Sequence, residues 1–169
     1  IPVFGCSSGA AEIESSKGFA KELMARANVP TAEWDRFQDA EAAARFGATL
    51  LARDGKVVVK ADGLAAGKGV VICEDASAID EAAAHLAAGG RVVVEEFLVG
   101  REASCMALVD GERVWALPAC EDHKTIFDGD RGPMTGGMGA ISPTPVVDAA
   151  MMARVEREVL VPTARALVA

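Results

Sequence analysis

Lys60 ends the β-branched run Val57 to Val59, and three residues later a glycine-rich segment begins. KADGLAAGKG, residues 60–69, therefore sets two ammonium groups, Lys60 and Lys68, around backbone that is poor in β-carbons. Residue types of this kind suit oxyanions. Glycines at Gly63, Gly67 and Gly69 let backbone N–H groups approach phosphate oxygens, and a lysine on a strand end is a compact charge held on a rigid element. The segment is not a Walker A loop, because three residues rather than four separate Gly63 from Gly67 and Gly69 follows Lys68 where Ser or Thr would hold magnesium. It also runs toward a strand, so a helix N-terminus is not what would bind the anion there. Taken alone, the loop is equally a glycine-rich hairpin with a solvated lysine; Lys60 beside it favours a mobile phosphate flap.

Two further stretches carry groups that could bind a ligand. In EEFLVGRE, residues 95–102, a strand passes into an extended segment. Its backbone edge at Glu95 to Leu98 could hydrogen-bond a base, and the Glu102 carboxylate could accept from ribose hydroxyls, although an ordinary edge strand reads the same way. Residues 121–124, EDHK, bring acid, imidazole and ammonium together, so His123 is either a polar substrate contact or a structural hydrogen-bonding group. The only other histidine, His85, lies on an alanine-rich helical stretch, so no zinc set with Cys120 and His123 can be completed. Neither a Gly-x-Ser-x-Gly nor a Cys-His-Asn pattern supports a hydrolase.

The elements that must position these residues follow from capping and periodicity. Ser15 and Ser16 can cap a helix with Phe19, Ala20, Leu23, Met24 and Ala27 on one face, which puts Lys17 in its first turn; Asn28-Val-Pro30 ends it. A second helix begins near Asp39, and Asp54-Gly55 leads into the Val57 strand. Gly69 to Cys73 reads as a strand. Asp75 caps a third helix with Ile79, Ala82, Ala83 and Leu86 inward, and Arg91 to Glu95 is the next strand. Strand, strand, helix, strand implies an α+β unit. Asp110-Gly111 suits a type I′ hairpin turn. So many Gly and Pro fall in residues 128–145 that no regular element is expected there, and a long ordered loop of this kind is usually functional. The tail from Asp148 is helical, kinked or divided at Pro162.

Composition limits the function classes. The 169 residues are 51% apolar and 25% charged, an ordinary globular balance. A formal net charge of −8 argues against a nucleic-acid or anionic-membrane surface, so any positive site must be local. No apolar run is long enough to span a bilayer and no signal peptide is visible, which makes the cytoplasm the expected compartment. Cys6, Cys73, Cys105 and Cys120 lack metal or disulfide spacing and read as reduced, buried thiols. The chain has no initiating Met and stops within a helical pattern, as a fragment would.

In order along the chain, ESSKGFAKELM, VVVKADGLAAGKGVVIC, VVVEEFLVGREAS, EDHK and DGDRGPMTGGMGAISPTP resemble the glycinamide ribonucleotide synthetases (phosphoribosylamine-glycine ligases) of the ATP-grasp superfamily. The match spans almost the whole chain. It implies an incomplete ATP-grasp fold, in which nucleotide lies between two α+β parts: residues 1–32 as the first segment of the core, 33–97 as the lid subdomain with its flap, and 98–169 as a partial core. By resemblance, Lys17 and Lys60 contact ATP phosphates, and the flap from Gly63 through Gly67 and Lys68 to Gly69 covers them. Glu95 and Leu98 meet the adenine edge, and Glu102 the ribose. Asp122, His123, Lys124 and Asp130, with the loop Thr135, Gly136, Gly137, Met138 and Gly139, help form the substrate end. The implied substrates are ATP, glycine and 5-phosphoribosylamine, joined through a glycyl phosphate, with no nucleic acid, membrane or enzyme nucleophile involved.

The resemblance is incomplete. The family's magnesium ligands, a Glu and an Asn, are expected beyond residue 169, so Mg2+ is expected for a longer parent and no metal ligand is assigned within this chain. Turnover by the isolated segment is accordingly not expected. Met134 stands where the family usually has Asn, Ile141 where it has Tyr and Cys6 where it has Pro. A thioether offers a weak acceptor where an amide offers both donors and an acceptor. Two other functions stay open on these residues: a non-catalytic ATP-binding module, and another ATP-grasp carboxylate-amine ligase.

Overall fold

The computed structural model describes residues 4–64, 69–129 and 131–168. The chain divides into two compact units, one of residues 1–26 with 31–98, the other of residues 27–30 with 99–169.

The first unit opens with helices α1 (Ser8–Ser15) and α2 (Lys17–Arg26), followed by β1 (Trp34–Phe37), α3 (Ala40–Asp54), β2 (Val57–Ala61), β3 (Val70–Cys73), α4 (Ala76–Ala87) and β4 (Val92–Glu96). The helix starts follow the expected caps. The side chains of Asp39 and Asp75 accept from the N–H groups of Ala42 and Ala78, three residues on, and Ser16 Oγ does the same for Phe19. Each acceptor satisfies a donor that the first helical turn leaves without an intrahelical partner.

The four strands form one antiparallel sheet in the order β1-β4-β2-β3. Because side chains alternate across a strand, its two faces differ in chemistry. Val57 and Val59 of β2, Val92 and Val94 of β4 and Cys73 of β3 pack with Ala43 and Leu50 of α3 and with Ile79, Ala82, Ala83 and Leu86 of α4 in one core. The inward set expected for α4 is the observed one. Val58, Lys60, Val93 and Glu95 fall on the opposite face, the face of α1 and α2.

Two elements of this unit were not anticipated. Strand β1 is four residues long and alternates no clean apolar face: Trp34, Arg36 and Phe37 are half-buried and Asp35 is exposed. Its pairing with β4, Trp34 opposite Glu95 and Phe37 opposite Val92, defines it rather than its pattern. Helix α1 buries no residue and so shows no apolar stripe; the Ser7 cap, accepting from Ala10 N–H, marks its start.

The second unit contains β5 (Ala107–Asp110), β6 (Arg113–Ala116), β7 (Glu121–Asp122), β8 (Thr125–Phe127), β9 (Arg131–Met134), β10 (Ala140–Ile141), α5 (Ala149–Val155), a π-helical turn at Glu156–Leu160 and α6 (Val161–Val168). The hairpin β5–β6 forms as expected, but its turn is not type I′. Asp110 pairs with Arg113, so Gly111 and Glu112 are the central residues, and only Gly111 has positive φ, at 58°. Glycine at the first central position is the type II′ pattern.

The expectation of no regular element in residues 128–145 is also corrected. β9 pairs with β8 through a register shift, and β10 pairs with β7. Glycine permits the irregular strand: Gly132 sits at φ 86°, and a β-carbon there would lie 2.5 Å from the Phe127 ring. At the tail, Asp148 caps α5, and the helical run continues through the π turn into α6, with Pro162 as the second residue of α6. Proline has no N–H to return to the carbonyl of Glu158, and the wider π turn directly upstream accommodates its ring.

The thiols correct a further expectation. All four cysteines are free, but only Cys73 is buried, while Cys105 and Cys120 are half-buried and Cys6 is exposed. Among the described residues no helix is long and apolar enough to cross a membrane.

Candidate functional site

In the first unit, a cavity of about 520 Å³ lies between the polar face of the sheet and helices α1 and α2. Lys60 reaches it from β2, Glu95 from β4, and Lys17 and Lys21 from α2; Glu14 stands at its α1 side. Three lysines against two glutamates leave the cavity net positive, in a chain of formal charge −8.

Register explains the convergence. Lys60 lies opposite Val93, and Val58 opposite Glu95, so Lys60 and Glu95 are diagonal neighbours on one face. Their charged ends form an ion pair. Lys21 Nζ approaches the other Glu95 oxygen at 2.7 Å and also donates to Thr31 Oγ1 at 2.7 Å. Glu95 is 6% exposed, so it is a buried carboxylate shared by two lysines. Burial alone would raise its pKa; the Lys21 and Lys60 ammonium groups more than offset that, and the carboxyl titrates below its usual range. Lys21 was not anticipated. Its signal was the four-residue spacing from Lys17, which puts both ammonium groups on one helical face.

Lys17 Nζ donates to the carbonyl of Gly63 at 2.7 Å, where the glycine-rich segment leaves β2. The opposite end of that segment is fixed by the sheet, since Ala61 N–H donates to Gly69 O at 2.7 Å. Between the lysine and the strand sits Asp62, also unassigned from the sequence. Its Oδ1 accepts from Ser16 Oγ and from Gly18 N–H, both at 3.0 Å.

Lys17, Lys60, Gly63, Gly69 and Glu95 thus surround one cavity. Leu98, beyond the end of β4, is 65% exposed and does not line it. Gly67, Lys68 and Asp130 lie outside the described residues, as does the side chain of Met134.

The second unit holds a cavity of about 250 Å³ lined by Arg101, Glu102, Glu121, Asp122, His123 and Lys124 among others. Lys124 Nζ is 3.4 Å from Glu102. The EDHK segment is clasped by the glycine loop through backbone bonds: Thr135 N–H donates to Lys124 O at 2.6 Å, Met138 N–H to His123 O at 2.6 Å, and His123 N–H to Gly139 O at 2.9 Å. Thr135 Oγ1 accepts from Gly137 N–H, and Gly137 leaves room for the Asp122 carboxylate, which would lie 3.0 Å from a β-carbon there. Gly136 has open space around it.

Glu121 anchors this arrangement and was not singled out from the sequence. It is buried, pairs with Arg101 at 2.5 Å and accepts from the Thr144 hydroxyl. The Thr144 hydrogen bond, then Arg101 working against burial, holds its carboxyl below the usual range. Among the described residues no group of three or more His, Cys, Asp or Glu side chains is placed to hold a metal ion.

The family model described as phosphoribosylglycinamide synthetase, ATP-grasp (A) domain, matches residues 15–169. A phosphoribosylamine–glycine ligase of Rhizobium meliloti is 49% identical over 173 residues, covering 99% of this chain and 40% of that protein. One from Vibrio cholerae is 48% identical, covering 100% and 40%. The chain therefore spans 40% of the length of these curated relatives. Among solved structures, phosphoribosylamine–glycine ligase of Thermotoga maritima superposes with a TM-score of 0.81 at 35% identity, covering 98% of this chain and 42% of that one. D-alanyl-alanine synthetase A of Vibrio cholerae shares the fold, with a TM-score of 0.75 at 15% identity over 96% of this chain and 52% of its own.

Proposed function

As this chain belongs to the phosphoribosylglycinamide synthetase ATP-grasp (A) domain family, we propose that it is part of an ATP-dependent ligase that joins glycine to 5-phosphoribosylamine in purine biosynthesis. The observation that carries the nucleotide half of this proposal is the convergence of Lys17, Lys21 and Lys60 on one cavity around a single buried carboxylate. Polyphosphate is the ligand such a cavity suits, because three ammonium groups against two carboxylates leave it net positive and the lysines stand on rigid elements.

In the proposed reaction a glycine carboxylate oxygen attacks the γ-phosphorus of ATP, the bond to the β,γ-bridging oxygen breaks, and ADP leaves. The product is glycyl phosphate. The amine nitrogen of 5-phosphoribosylamine then attacks its carbonyl carbon, the carbon–oxygen bond to phosphate breaks, and the nitrogen loses a proton to solvent as the amide forms. A carboxylate is a poor acylating agent until its oxygen becomes part of a leaving group, and two anions must be held together to achieve this. Lys17 and Lys60 offset charge on the phosphates, and the glycine-rich segment between Gly63 and Gly69 keeps water from the acyl phosphate. No enzyme nucleophile takes part; positioning and electrostatics do the work.

The remaining roles follow the family resemblance: the backbone around Glu95 and Leu98 at the adenine edge, Glu102 at the ribose, and Asp122, His123, Lys124 and the Thr135–Gly139 loop at the substrate. Residues 33–97 are assigned to the lid subdomain, and residues 1–32 and 98–169 to the core. Family members use ATP with Mg2+; among the described residues no group of three or more His, Cys, Asp or Glu side chains is placed to hold the ion. Four free thiols suit a cytoplasmic setting.

Nucleotide titration of the complete ligase tests the phosphate site. Lys60→Ala removes one charge-assisted phosphate contact, and ATP affinity should fall about tenfold or more, given roughly 1.5–3 kcal/mol for such a bond. Unchanged affinity would remove Lys60, and with it this site, from nucleotide binding.

A further inference from the structure

The Asp62 carboxylate occupies a position that neither the proposed chemistry nor the family resemblance assigns. Its side chain is 1% exposed and, just past the end of β2, faces the start of α2. Oδ1 accepts from Ser16 Oγ and from Gly18 N–H, and Oδ2 lies 3.2 Å from Arg91 Nε. Its backbone N–H donates to Arg91 O at 2.8 Å. One residue therefore binds the first turn of α2 to the exit of β2 and to the residue that precedes β4. Glycine at position 18 leaves room for the approach: a β-carbon there would stand 2.6 Å from Arg36 Cδ and 3.0 Å from Asp62 Oδ2.

Burial of Asp62 opposes its ionisation, but the Gly18 N–H, the Ser16 hydroxyl, Arg91 and Arg36 outweigh it, so the group is a carboxylate at neutral pH. Lys17 lies between its two anchors, Ser16 and Gly18, and extends its ammonium to Gly63 O, the residue after Asp62. Bonds from the Ser16 hydroxyl and the Gly18 N–H thus flank Lys17 and hold its stretch of α2 against the exit of β2.

We propose that Asp62 is a positioning residue for the phosphate site: by tying Ser16 and Gly18 to β2, it fixes the Lys17 ammonium at the entrance of the glycine-rich segment. This rests on the nucleotide site proposed above, and it assigns Asp62 no contact with nucleotide. A residue that acts only through Lys17 has a distinctive signature, because its removal costs affinity only while Lys17 is present.

The test is a double-mutant cycle on ATP binding, read by calorimetric titration of the complete ligase. Asp62→Ala should weaken ATP about tenfold, or roughly 1.4 kcal/mol. In a Lys17→Ala background the same substitution should change the Kd by no more than about twofold, the error of additivity for independent sites. Asp62→Asn keeps an oxygen for the Ser16 hydroxyl and the Gly18 N–H, and should restore most of the affinity. If Asp62→Ala does not fold, Ser16→Ala with and without Lys17 completes the cycle, because it removes one of the two bonds through which Asp62 holds α2. Equal losses with and without Lys17, or no loss in either, overturn the inference. Lys60→Ala is the control: if it binds ATP like wild type, the nucleotide site itself is wrong, whereas a weakened Lys60→Ala beside an unaffected Asp62→Ala overturns the positioning role alone.

Discussion

Replacing Glu95 with Gln should destabilise the first unit far more than the same change one residue away. Glu95 is 6% exposed and holds two ammonium groups, Lys21 at 2.7 Å and Lys60 on its other oxygen, whose side chains are 13% and 26% exposed. At 2.7 Å the gross attraction of the Lys21 pair is about 6 kcal/mol at an effective dielectric of roughly 20. Desolvation offsets much of that, so the measurable quantity is the penalty for leaving two lysines without their counter-charge, about 3–5 kcal/mol for a buried pair. Lys60 keeps part of its side chain in water, which sets the expectation at the lower end, about 3 kcal/mol, or a fall in Tm of roughly 6–12 °C for a chain of this size. Glu96→Gln is the comparison. Glu96 meets Arg53 at 3.2 Å, but Arg53 is half exposed and also paired with Glu33 and Asp54, so the loss should stay under about 1 kcal/mol. Acid supplies a second readout. The folded Glu95 carboxyl titrates below its ordinary value of 4.5, so its contribution is complete above that pH and disappears as pH falls through the depressed value. Thermal unfolding followed by circular dichroism should show the gap between wild type and Glu95→Gln narrowing below pH 4.5. Equal Tm values for the two Gln variants, or a gap that widens in acid, would show that Glu95 does not hold the two lysines as a buried counter-charge.

Leu50→Ala should cost about 2–5 kcal/mol, because Leu50 is 1% exposed between α3 and the sheet and its removal leaves a cavity; urea unfolding measures it, and a loss below about 1 kcal/mol would show that the core collapses around the gap. Gly132→Ala should cost about 2 kcal/mol, since it adds a β-carbon at φ 86° and 2.5 Å from the Phe127 ring. Amide exchange in β8 and β9 should accelerate in that variant, and unchanged protection would contradict the close contact.

Local rules were readable wherever a residue acts on near neighbours. Asp39 and Asp75 each cap a donor three residues on, and Ile79, Ala82, Ala83 and Leu86 recur at helical spacing, so caps and core face could be read directly. Lys60 and Glu95 could be named from their strands, but their ion pair depends on a register that joins residues 35 positions apart. Asp62 was hidden for the same reason, since its partners Ser16 and Gly18 lie 46 and 44 residues away. β1 escaped because pairing with β4, not an apolar alternation, makes it a strand. The glycine tract misled in the opposite direction: glycine lowers strand propensity, but Gly132 and the residues around it still complete ladders when a partner strand supplies the bonds.

The proposed function of these residues is in an ATP-dependent ligase for glycine and 5-phosphoribosylamine. Its most direct test is phosphate release by the complete ligase with ATP, Mg2+ and both acceptor substrates, beside the Lys60→Ala variant. One ADP and one phosphate for each amide formed, dependence on both glycine and the amine, and a large loss in Lys60→Ala are expected. ATP binding without phosphate release or amide formation under those conditions would contradict that function.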